Sequence, residues 1–225
     1  RCVALHLERL ARSAAMLDLP EPDADAWREV IDVAAKQWTA DAPRGAEGLM
    51  RLVYSRGRES AGHDASPTAY LTVGPVADRV TAVRRDGVSV VTLDRGYSIV
   101  AASSSPWQLL GAKTLSYATN MAALRHATAQ GFDDVIYLSA EGAVLEGPRS
   151  TVIAVYDKTL VTPPSEVGIL PGTTARATFE LAEKEGWDTS TRVLRTADLI
   201  AADSFWLVSS VTLAARVTAL NRYVT

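Results

Sequence analysis

The chain has 225 residues, 48% of them hydrophobic, enough to bury a sizeable core in one large domain or two small ones. Its formal charge of −3 is spread along the sequence without a basic block, which argues against nucleic acid as a partner. One cysteine, Cys2, excludes an internal disulfide framework and a cysteine-rich metal site, and fits a reducing, cytoplasmic compartment.

The opening stretch RCVALHLERL has no signal-peptide layout and no apolar run is long enough for a bilayer; a start without Met reads as a fragment lacking its natural N-terminus. From Val3 to Leu17 the residues Leu7, Leu10, Ala14 and Leu17 recur at helical spacing, and Pro20 and Pro22 end that segment. A second helical pattern runs from Asp23 to Thr39, and the polar stretch 41–48 reads as a loop. Met50–Ser55, Ala69–Val73 and Val88–Leu93 are short apolar or β-branched runs bounded by Gly, Pro and Asp, which predicts antiparallel or mixed strands. Between the first two, 57–67 is predicted as a mobile loop, and the Ser/Pro stretch at 101–106 reads as a linker.

Beyond Trp107 helix and strand signals alternate: helix Tyr117–Gln130, strands Val135–Ser139 and Ser150–Tyr156, helix Thr174–Glu185, strand Thr189–Leu194, short helix Ala197–Ile200 and a last strand Phe205–Ser209. The predicted class is α/β with mixed (α+β) sheets. Two domains are expected, a smaller one over 1–100 and a larger one over 109–225, joined by a linker at 101–108.

Lysine is scarce: Lys36, Lys113, Lys158 and Lys184 are the only four. Three of them fall on polar helix faces or a turn, where a solvated ammonium is expected. Lys113 lies between PWQLLGA and TLSYATNMAAL, an apolar setting that would disfavour its charged form and suit imine chemistry. In GILPGTTARATF, Thr173 and Thr174 open a helix; they read either as an ordinary N-cap or as hydroxyls completing a phosphate cradle at a helix N-terminus. Glu146 ends an apolar run before Gly-Pro, where its carboxylate is either a turn-edge acid or a partner for a protonated ring nitrogen. Arg56 and Arg58 follow a strand into a loop, as solvated charge or as a grip on a substrate carboxylate. His6, His63 and His126 are scattered without metal-ligand spacing, and no metal is expected.

Taken in order, HLERL at 6–10, YSRG at 54–57, AKTLSY at 112–117, LEG at 145–147, LPGTT at 170–174 and VSSVT at 208–212 resemble the fold type IV pyridoxal-phosphate enzymes, the class IV aminotransferase and aminodeoxychorismate lyase family. The resemblance spans nearly the whole chain and implies pyridoxal 5′-phosphate as cofactor. It makes Lys113 the Schiff-base lysine and Arg9 the phosphate-binding arginine, sets Glu146 against the pyridine nitrogen, and puts Tyr117 near the phenolic oxygen. Thr173 and Thr174, with Ser210, Val211 and Thr212, fall on the two phosphate-binding segments. There are departures from the pattern at Ser116, Thr151, Ala175 and Val211, the last lacking a hydroxyl common in relatives.

The implied activity is cleavage of 4-amino-4-deoxychorismate to 4-aminobenzoate and pyruvate, a step toward folate, because YSRG with a further arginine resembles the lyase and D-transaminase branch. The alternatives are transamination of D-amino or branched-chain amino acids and, from another class, a non-catalytic binding protein on the same fold. The expected partner is a small amine carrying a carboxylate, and the resemblance implies a homodimer.

Overall fold

Helix α1 (Val3–Met16) buries Leu7, Ser13 and Ala14, and α2 (Ala24–Asp41) buries Trp27. Asp23 caps α2, its carboxylate accepting the N–H groups of Asp25 and Ala26 at 3.0 Å. Strands β1 (Gly48–Ser55) and β2 (Thr68–Pro75) then pair antiparallel, in register from Gly48 opposite Pro75 to Ser55 opposite Thr68. The computed structural model describes residues 1–58, 60 and 66–225; most of the expected loop at 57–67, with His63, lies outside them.

These elements form one compact unit, residues 1–78, and the rest of the chain a second, 79–225. The second opens on α3 (Asp78–Asp86), followed by β3 (Val88–Asp94), α4 (Ala101–Ser104), α5 (Ala118–Ala129) and β4 (Asp134–Leu138). After it come β5 (Thr151–Tyr156), β6 (Thr159–Thr162), α6 (Thr173–Lys184), β7 (Asp188–Thr191), α7 (Thr196–Ala201), β8 (Ser204–Ser209), β9 (Leu213–Leu220) and β10 (Tyr223–Val224). Their sheet runs β4-β3-β9-β8-β5-β6-β7, with β10 against β9. Strand β3 is parallel to both β4 and β9, β6 is parallel to β7, and the remaining pairs are antiparallel. This is the mixed sheet expected of the α/β class.

The expected domain limits shift. Strand β3 is hydrogen-bonded on both edges within the second unit, so residues 79–100 belong to it, and the expected linker at 101–108 instead carries α4, with Ala101 buried, and a 3₁₀ turn at Pro106–Gln108. An apolar run identifies a strand but not its partners. Strands β6 and β9 and helix α3 also went unpredicted. In β9 the buried residues Ala215 and Val217 alternate with exposed Ala214 and Arg216, a pattern weakened by the small side chains.

Successive strand residues point to opposite faces, which divides the core. Val90, Ile136, Val152, Ala154, Phe205, Leu207, Ala215 and Val217 pack on one face with Leu199 of α7 and Val83 of α3. On the other, Val135 and Tyr137 pack with Ala127 of α5, and Ile153 and Val208 pack with Ala175 and Phe179 of α6. The N-termini of α5 and α6 thus share a face, with α3 behind the sheet.

Candidate active site

Lys113 follows a backbone reversal, Leu109 and Gly111 having φ of 54° and 84°, and a Cβ on Gly111 would lie 3.3 Å from the Ile169 carbonyl oxygen. Its ammonium donates to the Tyr117 hydroxyl at 2.7 Å and lies 5.0 Å from that ring's centre. Tyr117 is the N-cap residue of α5, so the helix start holds the pair together. The expected apolar enclosure is corrected: Lys113 is exposed. Its apolar sequence neighbours do not enclose it, since Trp107 is 75% and Leu115 74% exposed.

Glu146 is half-buried in a β-hairpin-like return from β4, where Leu145 N–H donates to Tyr137 O at 2.8 Å and Tyr137 N–H to Glu146 O at 2.9 Å. The Glu146 carboxylate accepts the Leu170 N–H at 3.2 Å, which ties it to the segment entering α6. Its charge is felt nearby. Burial first and the Glu146 carboxylate second push the Tyr97 phenol up to about 12, and the same two causes contribute to the raised Tyr137, where burial is the largest. Tyr97 donates to Gly168 O at 3.4 Å, the Arg95 guanidinium lies 4.7 Å from the Tyr137 ring centre, and Tyr137 donates to Asn120 Oδ1 at 3.2 Å. Sequence reasoning missed these four side chains, which carry no motif of their own.

The N-cap of α6 is Gly172, so the reading of Thr173 or Thr174 as its cap is set aside: both lie inside the first turn. Gly172 offers no side chain to the first N–H groups of the helix, which leaves a positive dipole end without a side-chain cap. Glycine is required there, because an added Cβ would lie 2.3 Å from Thr151 Oγ1. Buried Thr173 brings its hydroxyl to 3.4 Å from that of Ser210, in the turn joining β8 to β9. In the same turn Thr212 N–H donates to Ser209 Oγ at 3.0 Å, while Arg84 donates to the Val211 carbonyl at 2.6 Å and the Thr212 carbonyl at 3.1 Å.

The structure therefore brings Lys113 to Tyr117, Glu146 to the entry of α6, and Thr173 to Ser210. Hydroxyls and uncapped N–H groups suit a phosphate dianion, and an amine beside a phenol suits proton transfer at a carbon acid. Arg9, Arg56 and Arg58 lie in the first unit. Arg9 approaches His6 Nδ1 at 3.4 Å, and burial, then the Arg9 charge, lower the imidazole to about 4. Arg56 donates to the carbonyls of Leu17 and Asp18 at 2.9 and 2.6 Å, where α1 ends, while Arg58 is exposed. His126 contacts Gln130 at 2.8 Å. Among the described residues no group of His, Cys, Asp and Glu is placed to hold a metal, and no helix is long and apolar enough to cross a membrane.

Residues 1–220 match the family model described as amino-transferase class IV. The chain is 51% identical to a bifunctional aminodeoxychorismate lyase / D-amino acid transaminase from Mycobacterium tuberculosis, over 97% of this chain and 76% of the relative. It superposes on a hypothetical aminotransferase from Mycobacterium tuberculosis in its PLP-bound form with a TM-score of 0.94, at 51% identity, over 98% of this chain and 76% of that one. The form of that protein with α-ketoglutarate and PMP bound gives the same TM-score, 0.94, at 52% identity and the same coverage. A fold IV-transaminase from Curtobacterium pusillum follows with a TM-score of 0.91, at 44% identity, over 99% of this chain and 73% of that one.

Proposed function

The chain belongs to the class IV aminotransferase family, and from that premise we propose that it is a pyridoxal-phosphate enzyme that cleaves 4-amino-4-deoxychorismate to 4-aminobenzoate and pyruvate. The observation that carries this is the 51% identity, across 97% of the chain, to a relative named for that lyase activity. The same relative is also named for D-amino acid transamination, and the α-ketoglutarate and PMP of the solved neighbour point the same way, so transamination at the same residues is the second reading. Membership of an enzyme family weighs against a non-catalytic binding protein.

The arrangement suits the cofactor. Pyridoxal phosphate supplies an electron-accepting ring that makes the amine-bearing carbon acidic. Lys113 would carry it and move a proton at that carbon, with the Tyr117 hydroxyl holding Nζ at 2.7 Å. Glu146 would keep a proton at the ring nitrogen, its carboxylate being anchored by the Leu170 N–H. Thr173 and Thr174 at the start of α6, with Ser210, Val211 and Thr212, would hold the phosphate and so orient the reacting carbon; the phosphate role of Arg9 is what the family resemblance implies. Expulsion of a leaving group from the substrate gives the lyase outcome, and return of the proton elsewhere gives transamination. For the substrate's carboxylates Arg58 is better suited than Arg56, whose guanidinium already holds the end of α1. A homodimer in the cytoplasm goes with this reading, and a monomeric mass in solution would contradict the first part.

The test is to incubate the protein and its Lys113→Ala variant with pyridoxal 5′-phosphate, reduce with borohydride and locate the label by peptide mass. Label on the Lys113 peptide of the parent alone is the expected result; none on the parent would overturn the cofactor reading. Pyruvate release from aminodeoxychorismate is then measured against transfer from D-amino acids and branched-chain amino acids to α-ketoglutarate. Steady transfer with no pyruvate would sink the lyase reading and leave the transaminase.

A further inference from the structure

We propose that Arg84, on the far side of the sheet from α6, is a positioning residue that fixes the β8–β9 turn so that its Ser210 faces the cofactor phosphate at the start of α6. The inference rests on the pyridoxal-phosphate reading above. It starts from the reach of one side chain: Arg84 is separated from the turn by 127 and 128 residues, yet its NH2 group meets the Val211 carbonyl at 2.6 Å and its Nε the Thr212 carbonyl at 3.1 Å, in a part-buried setting. Two N–H groups of one rigid guanidinium thus grip two successive carbonyls, which fixes the direction of both peptide planes. In a trans peptide the C=O and the following N–H point opposite ways, so the Thr212 N–H, which donates to Ser209 Oγ at 3.0 Å inside the turn, and the Leu213 N–H are both directed away from the guanidinium.

Three features make this turn worth holding. Its Ser210 hydroxyl lies 3.4 Å from that of Thr173 in the first turn of α6, so the turn stands where the helix N-terminus opens. Leu213 sits at a φ of 64°, a left-handed conformation that a residue other than glycine keeps only when its surroundings impose it. Val211 has no side-chain hydroxyl, so at that position only the backbone can serve a phosphate, and backbone direction matters more than in a turn with Ser or Thr there. The cation behind the carbonyls also orients the peptide dipoles with their positive ends outward, the polarity that an anion needs.

Helix α3 places Arg84 for this task. Val83 packs into the core on the rear face, and Val80 is buried on the same helix, so the arginine's stem is carried on a fixed element. Acting on the turn's carbonyls, the guanidinium is assigned a positioning role rather than a catalytic one.

The experiment compares the parent with Arg84→Met, which keeps an apolar stem, and Arg84→Lys, which keeps charge but not the fork. Two quantities are read: hydrogen–deuterium exchange of the 209–213 peptide without cofactor, and dissociation constants for pyridoxal 5′-phosphate and for pyridoxal. Faster exchange at 209–213 and binding of the phosphorylated ligand weakened about tenfold, with pyridoxal changed less than about twofold, is the expected result for Arg84→Met, and Arg84→Lys should fall between. Equal weakening of both ligands, or unchanged exchange, overturns the proposal. A parent that binds neither ligand while Arg84→Met still speeds exchange would instead overturn the cofactor reading and leave the turn-fixing role standing. Melting curves of the three proteins separate these outcomes from a fold lost outright, and there Arg84→Lys decides.

Discussion

Gly172→Ala puts one methyl group into the closest approach at the start of α6. The added Cβ would lie 2.3 Å from Thr151 Oγ1 and 3.3 Å from Thr151 Cβ, whereas real Cβ atoms do not come within 3.0 Å of such neighbours, so at least 3.0 − 2.3 = 0.7 Å must be found. Neither side yields readily. Thr151 is 7% exposed and paired with Val208 in the sheet, and Thr173, next to the substitution, is 5% exposed. Backbone strain does not enter, because φ −72° and ψ 125° are open to alanine. Overpacking of this kind costs about 1–3 kcal/mol, and the smaller entropy of the unfolded alanine chain offsets about 0.4–1 kcal/mol, so a net loss of about 1–2 kcal/mol is expected. Urea unfolding of the parent, Gly172→Ala, Thr151→Ala and the double variant forms a complete cycle. Removing Oγ1 relieves the clash, so the double variant should be more stable than the sum of the singles predicts, by about 1 kcal/mol. A Gly172→Ala protein as stable as the parent, or additivity within about 0.5 kcal/mol, would refute the close-approach argument. With the clash in place, α6's first turn is displaced and phosphate-ligand affinity should fall along with stability.

The Glu141 carboxylate accepts from the Ser98 hydroxyl, from Ser139 Oγ at 2.8 Å and from Ile99 N–H at 3.1 Å, and these bonds hold it at about 2 instead of 4.5. Its stabilisation is complete above pH 4.5 and disappears as pH falls towards 2, so Glu141→Gln should lower the melting temperature at pH 7 and converge with the parent in acid. A deficit that is the same at every pH would count against the assignment. Arg56→Ala should cost about 1 kcal/mol in chemical denaturation by leaving the Leu17 and Asp18 carbonyls without their guanidinium donor, while Arg58→Ala stays within about 0.5 kcal/mol and raises KM. The reverse order would exchange their roles. Phe205→Ala empties a fully buried position at the centre of the sheet and should cost about 3–5 kcal/mol; a loss under 1 kcal/mol would mean that the core is not packed there as described.

Much of this protein follows from short-range pattern. The spacing of Leu7, Leu10, Ala14 and Leu17 specifies α1, and four residues separate Lys113 from Tyr117, so their 2.7 Å contact is local and legible. The Pro-Gly-Thr-Thr sequence likewise marks where α6 begins, since Pro and Gly cannot extend a helix backwards at low cost. The six ordered motifs bring the family and cofactor within reach without coordinates. Other features depend on segments far apart in the chain. Glu146 meets Leu170 across 24 residues, Thr173 meets Ser210 across 37, and Arg84 reaches the β8–β9 turn across 127. The sheet decides that β3 belongs with β4 and β9 rather than with the first unit, and the path of the chain around Trp107 and Leu115 leaves Lys113 exposed. Helix periodicity and turn chemistry are set by neighbours a few residues away, whose geometry the covalent chain already constrains. Strand partners, burial and long-range hydrogen bonds exist only once loop-closure entropy has been overcome, and which closures succeed is a property of the whole folded sheet.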